Sequence, residues 1–272
     1  MKSIKLHFGC KSDKGNIKKN NEDNYIIKSL TKGRNKCGLV AVCDGLGGLS
    51  CGEVASKIMV DEIDIWWEEK INTIIKRKSQ ERYILHCLEE LVREGNKKVN
   101  KKSKELEAKI GTTISCILII NNTYYVAHVG DSRIYKLENN LEQITQDHTL
   151  YERLRRCGCI EESNKVKKSI LTQCIGNSDD ISVYTDMGKI KNSCSFIVCS
   201  DGYYNKMDTK ATIRRLRHRL IEYDNNYLQT SCEKLVNDVM KAGERDNITL
   251  ACMRVQVVEN SFIKLIKRFI NR

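Results

Sequence analysis

The chain has 272 residues, 40% apolar and 30% charged, enough apolar material for a sizeable core and unlike a disordered or fibrous chain. No apolar run approaches the ~18 residues of a membrane span, and residues 1–15 lack the apolar segment of a secretion signal, so a cytoplasmic protein is expected. Basic residues outnumber acidic ones by 47 to 35, a net charge of +12, but they fall in separate places and the 6% of aromatics do not interleave with them, so no nucleic-acid partner is expected.

In chain order, strands are predicted at 4–8, 25–30 and 38–43. A helix over about 52–70 follows, with Ala55, Met59, Ile63 and Trp66 on one face, then a second over about 81–99 with Ile84, Leu88, Leu91 and Val92. Four strands come next, at 112–120, 124–129, 132–137 and 141–145. Asn121-Asn122 is the expected turn between the first two. Residues 147–175 are less regular, with a short helix at 150–156 and a charged loop at 161–169. Strands at 181–185 and 195–199, helices at about 209–223 and 227–242, and a strand at 247–257 complete the chain. Runs of strands with helix pairs between them argue for an α+β fold with antiparallel sheets.

The 13 cysteines are odd in number and include no Cys-x-x-Cys pair. That argues against a disulfide framework or a zinc site. Cys43, Cys116, Cys199 and Cys252 lie in apolar runs, where cysteine acts as a small core residue. Proline is absent, so turns must rely on Gly, Asn and Asp.

Three acidic residues stand out. Leu39-Val40-Ala41-Val42-Cys43 delivers Asp44 into Gly45-Leu46-Gly47-Gly48. Phe196-Ile197-Val198-Cys199-Ser200 delivers Asp201 into Gly202. Asp246 precedes the β-prone run Asn247-Ile248-Thr249-Leu250. Carboxylates held at strand ends beside flexible turns suit hard divalent cations, which take oxygen ligands on a rigid base. Asp-Gly is also an ordinary turn pair, so the weight lies in several such blocks in a fixed order.

That order runs from Ser12-Asp13-Lys14-Gly15-Asn16-Ile17-Lys18 and Asn21-Glu22-Asp23, through Asp44-Gly45 and Gly111-Thr112-Thr113. It continues with Gly130-Asp131-Ser132-Arg133, Thr145-Gln146-Asp147-His148 and Leu171-Thr172-Gln173, then Ser200-Asp201-Gly202 and Asp246-Asn247-Ile248-Thr249. It resembles the PP2C (PPM) family of metal-dependent protein Ser/Thr phosphatases, particularly the compact bacterial type, over about 12–257. The resemblance implies two packed antiparallel sheets flanked by helix pairs, with a metal cleft at one sandwich edge and residues 147–175 as a flap beside it. It implies two Mn²⁺ or Mg²⁺ ions, a weaker third, and hydrolysis of phosphoserine and phosphothreonine by direct attack of a metal-bridging water. The substrates would be phosphorylated proteins, and a Ser/Thr kinase would be the natural partner. An alternative is a phosphatase-like regulator that binds phosphoproteins and turns over poorly.

Carried over residue by residue, the resemblance makes Asp44 the carboxylate that bridges both metals and Gly45 a carbonyl ligand. Asp201 and Asp246 complete one shell. Glu22 binds the second metal, Asp23 and Asn247 support from behind, and Asp131 helps hold the third ion. Lys18 binds substrate phosphate. It stands where the family usually has Arg, and an ammonium is a point charge where a guanidinium grips phosphate in two places. Leu46 replaces a histidine found in some members, and Asn205 an aspartate. His128 and His148 form no metal-ligand pair and are read as structural.

One phosphatase domain is expected over 1–258. The segment 259–272 repeats apolar Phe262, Leu265, Ile266, Phe269 and Ile270 on one helical face, with Lys264, Lys267 and Arg268 around it. Three readings stay open: a helix on a membrane surface, a helix that docks a protein, or a helix folded back on the domain.

Overall fold

The computed structural model describes residues 3–46, 51–76, 80–217 and 224–258. Ten strands form two five-stranded antiparallel sheets. One takes the order β1 (Ser3–Asp13), β10 (Ile248–Val258), β9 (Cys194–Cys199), β6 (Arg133–Leu137), β7 (Leu141–Gln143). The other runs β2 (Asn24–Lys32), β3 (Asn35–Cys43), β4 (Ile114–Ile120), β5 (Thr123–Val129), β8 (Tyr184–Lys189). Helices α1 (Gly52–Lys76) and α2 (Glu81–Glu105) cover the outer face of the second sheet, and α6 (Thr209–Leu216) and α7 (Asn225–Lys241) that of the first. The expected α+β sandwich of two antiparallel sheets between helix pairs is the fold observed.

Burial explains why the central strands are apolar at every position. In β3, Leu39, Ala41 and Cys43 join the core under α1 and α2, while Val40 and Val42 meet Phe196, Val198 and Met253 of the facing sheet. Both faces are covered, so the alternation of a half-exposed strand disappears. The helix stripe is equally literal: Ala55, Met59 and Ile63 are wholly buried. α1 and α2 approach so closely at Gly95 that a Cβ there would lie 2.2 Å from Met59 Sδ. The β4–β5 turn is made by Asn121, whose φ of 55° suits asparagine better than most residues. Without proline, three helix starts rest on side-chain caps. Thr149, Asp208 and Asp224 accept the amides of Glu152, Ala211 and Tyr227.

Four details depart from the sequence expectation. β8 begins at Tyr184, three residues beyond the predicted start, because Ile181 packs into the helix-side core from a loop while β5 pairs with Tyr184–Lys189. α6 stops at Leu216, with Arg217 already extended. Two short helices were not anticipated, α4 (Ile160–Ser163) after α3 (Leu150–Arg156), and α5 (Asp201–Tyr204). Gly47, Gly48 and the C-terminal segment 259–272 lie outside the described residues.

Candidate metal centre

Six strand ends meet at one edge of the sandwich. Glu22 and Asp23 enter β2, Asp44 and Gly45 leave β3, and Asp131 turns between β5 and β6. Asp201 leaves β9, and Asp246 with Asn247 enters β10. Register places them together. Asn24 lies opposite Cys43, so Asp23 and Asp44 are cross-strand neighbours. Cys199 lies opposite both Leu250 and Arg133, which draws the β9, β10 and β6 ends to one point.

Hydrogen bonds then tie one end to the next. The Gly45 amide donates to the Glu22 carbonyl at 3.2 Å. The Glu22 amide donates to Asn247 Oδ1 at 2.9 Å, and Asn247 Nδ2 donates to the carbonyls of Lys14 and Asn20. Buried Asn247 thus clamps the β1–β2 loop against β10. Ser200 Oγ donates to Asp23 Oδ2 at 2.8 Å, and the Asp201 amide approaches Asp44 Oδ2 at 3.5 Å. Thr112 and Thr113 hold the Asp44 backbone from the other side. The Thr113 amide donates to the Asp44 carbonyl at 2.8 Å, and the Asp44 amide to Thr113 Oγ1 at 3.1 Å.

The glycines are there for room. A Cβ on Gly45 would lie 2.5 Å from the Glu22 carbonyl oxygen, and one on Gly202 would lie 2.1 Å from that of Asn247. Neither backbone contact can yield cheaply, so the Asp-Gly pairs are close-approach sites as well as turns.

Electrostatics mark the cluster as strained. Burial, with Asp23, Asp201, Asp131 and Asp246 adding repulsion, holds the Asp44 carboxyl well above the usual range. Burial and the charges of Asp131 and Asp246 push Asp201 up to about 7. Burial lifts Asp23 to about 6 against the hydroxyl of Ser200, and burial with Asp147 lifts Asp131 to about 6. Glu22 is raised by burial, partly offset by Lys18. Lys18 Nζ sits 2.6 Å from Asp246 Oδ1. Neighbouring carboxylates of this kind ionise together only when positive charge is supplied.

Divalent cations fit this environment. The donors are all oxygens, the preference of hard ions, and Asp23 Oδ1 is buried without a hydrogen-bond partner. Among the described residues no three His, Cys, Asp or Glu side chains close on one point. The ring is open at this level, and ions with their waters and carbonyl ligands would complete it.

The structure therefore gathers Lys18, Glu22, Asp23, Asp44, Gly45, Asp131, Asp201, Asp246 and Asn247 at one edge. His128 is a satisfied core residue: its Nδ1 meets Ser115 Oγ, its Nε2 meets the Gln146 carbonyl, and burial lowers it to about 3. Sequence reasoning missed three supports. Ser200 bonds Asp23. Glu244, nearly buried, accepts the amides of Arg245 and Asp246 and shapes the turn into β10. Arg133 pairs with Asp147 at 2.7 Å and stacks 3.7 Å from the centroid of the Tyr204 ring, bracing the Asp131 turn. Only Glu244 carried a local signal, an acidic residue two before Asp246.

Comparison with known proteins agrees with this arrangement. The family model "Protein phosphatase 2C" matches residues 9–156. The chain is 30% identical over 255 residues to protein phosphatase PhpP of Streptococcus pneumoniae, covering 90% of this chain and 96% of the relative. It is 28% identical over 251 residues to serine/threonine phosphatase stp of Listeria monocytogenes, covering 90% and 94%. The solved catalytic domain of the serine/threonine protein phosphatase PstP, in complex with two manganese ions, superposes with a TM-score of 0.71 at 25% identity, over 94% of this chain and all of that one. By sequence match and by fold alike, the chain belongs to the protein phosphatase 2C family.

Proposed function

We propose that this chain is a metal-dependent protein serine/threonine phosphatase, with one phosphatase domain over 1–258 that uses two Mn²⁺ or Mg²⁺ ions and a weaker third. The observation that carries the reading is the ring of carboxylates at the sandwich edge, raised together by burial and mutual repulsion. Such a ring is costly to fold and is offset only by bound positive charge. The fold and sequence kinship support the same activity.

When bound, the paired ions acidify water and neutralise phosphoryl charge. Asp44, between Asp23 and Asp201, is the residue we assign to both ions, with the Gly45 carbonyl on one. Asp201 and Asp246 would hold one ion and Glu22 the other, and Asp131 would contribute to the third. Asp23 and Asn247 orient this set through Ser200 and the β1–β2 loop. Lys18, at the rim, exchanges Asp246 for the substrate phosphate.

Phosphorylated proteins are the substrates, and a Ser/Thr kinase supplies them. A cytoplasmic setting accords with the 13 free cysteines and with the absence, among the described residues, of a helix long and apolar enough to cross a membrane. On its amphipathic pattern alone, the segment 259–272 would dock on a membrane surface, on a protein partner or back on the domain. The test is hydrolysis of a phosphothreonine peptide with and without Mn²⁺. Mn²⁺-dependent turnover that Asp44→Ala abolishes supports the reading; a folded, Mn²⁺-treated protein without turnover overturns it.

A further inference from the structure

A trench of about 630 Å³ separates α3 of the flap from the start of β8. Gln146 and His148 form its floor, Arg153 and Arg156 stand on the helical wall, and Tyr184 and Thr185 form the opposite wall. Its inner end lies beside the Asp131 turn. The His148 amide donates to the Gly130 carbonyl at 2.7 Å, and the Gly130 amide to His148 Nδ1 at 3.3 Å, one residue before Asp131.

The charge of the trench is lopsided. Asp147 is neutralised by Arg133 through paired contacts. His148 is held toward the neutral form by burial. Arg153 and Arg156 are exposed and, among the described residues, lack the acidic partners that Arg93 and Arg133 have. Burial, then Asp186 of β8, raise the Tyr184 hydroxyl, and Arg156 works against them across the trench. Glu152 is the remaining anion of the trench lining. Solvated arginines on a helix are commonplace; two beside a trench that ends at the Asp131 turn are placed to read a ligand. β8 is the last strand of its sheet, so an extended peptide would lie against a strand edge on the far wall.

We propose that this trench holds the substrate segment flanking the phosphorylated residue and selects acidic side chains there through Arg153 and Arg156. The proposal rests on the phosphatase reading above and names its substrate class: phosphoserine or phosphothreonine with Asp or Glu on one flank. Carboxylate is the matching chemistry because guanidinium donors pair with it in two places, and because, with Asp147 paired to Arg133, two guanidiniums face a single lining carboxylate, Glu152.

The experiment compares three kinds of substrate in Mn²⁺: p-nitrophenyl phosphate, a phosphothreonine peptide with neutral flanks, and two acidic analogues of that peptide with three Asp before or after the phosphothreonine. The wild type and the double variant Arg153→Gln/Arg156→Gln are assayed on each. We expect one acidic analogue to show a KM roughly fivefold below the neutral peptide in wild type, an advantage lost in the double variant and in 0.5 M salt. kcat, and all constants for p-nitrophenyl phosphate, should stay unchanged. Equal KM for neutral and acidic peptides in wild type, or an equal loss on both in the variant, overturns the proposal. A wild type that hydrolyses none of the three overturns the phosphatase reading itself, and this one with it.

Discussion

Lys18 Nζ rests 2.6 Å from Asp246 Oδ1, so the rim cation of the centre is bound to one of the carboxylates assigned to a metal. Asp246, Glu22 and Asp44 all help keep that ammonium charged, against a burial that works the other way. A metal ion taking Asp246 must first break this pair. Both partners are a third or more exposed, so the pair is worth about 1 kcal/mol at most.

Lys18→Gln is therefore expected to tighten Mn²⁺ binding by up to about fivefold, since no ion pair need be broken. It should also raise KM for a phosphothreonine peptide, and Lys18→Arg should recover KM. Calorimetric titration of Mn²⁺ into the chelator-stripped protein reads the first effect, and steady-state kinetics the second. Unchanged Mn²⁺ affinity in Lys18→Gln would dismiss the competition.

The raised carboxyls make a pH prediction whose sign is unusual. Asp23 and Asp131 titrate at about 6 and Asp201 at about 7 in the fold, against ~3.9 in an unfolded chain. Between these values the native state binds more protons than the unfolded one, so this contribution to stability falls as pH rises from about 4 to 7. The melting temperature in chelator should drop across that window, and saturating Mn²⁺ should remove the drop. A chelated protein that grows steadily more stable up to pH 7 would contradict the electrostatic picture.

Asp44→Asn removes a charge from the most crowded position. The metal-free variant should melt about 2–4 °C above wild type, for each ~1 kcal/mol of repulsion relieved, while losing turnover. Thermal melts in chelator check the gain and phosphopeptide hydrolysis the loss. This trade-off distinguishes a functional carboxylate from a structural turn residue, whose replacement would lower stability.

Gly45→Ala and Gly202→Ala place a methyl 2.5 and 2.1 Å from carbonyl oxygens that the backbone holds fixed. Each should cost about 1–3 kcal/mol in urea denaturation, with weakened Mn²⁺ binding. Gly33→Ala meets nothing within 4 Å but keeps a φ of +60°. It should cost about 1 kcal/mol by strain alone, with Mn²⁺ binding intact.

Much of this protein was legible in its residues. The ordered Asp blocks announced the family by resemblance; the run 39–43 announced a strand and the stripe Ala55, Met59, Ile63 a helix face, because side-chain period and turn chemistry are local properties written within a few residues. The strand ends at Asp44, Asp201 and Asp246 were legible for the same reason. What only the tertiary structure decided is non-local. Cross-strand register set β8 at Tyr184 and left Ile181 to a loop, since pairing with β5 outweighed a weakly patterned run. α5 escaped notice because a four-residue helix has no period to read. Ser200 beside Asp23, Lys18 on Asp246 and the arginine-walled trench each join residues from different elements, brought together by packing two sheets face to face. Burial between those sheets, not residue type, lifts Asp44 and Asp201 so far above ordinary aspartates.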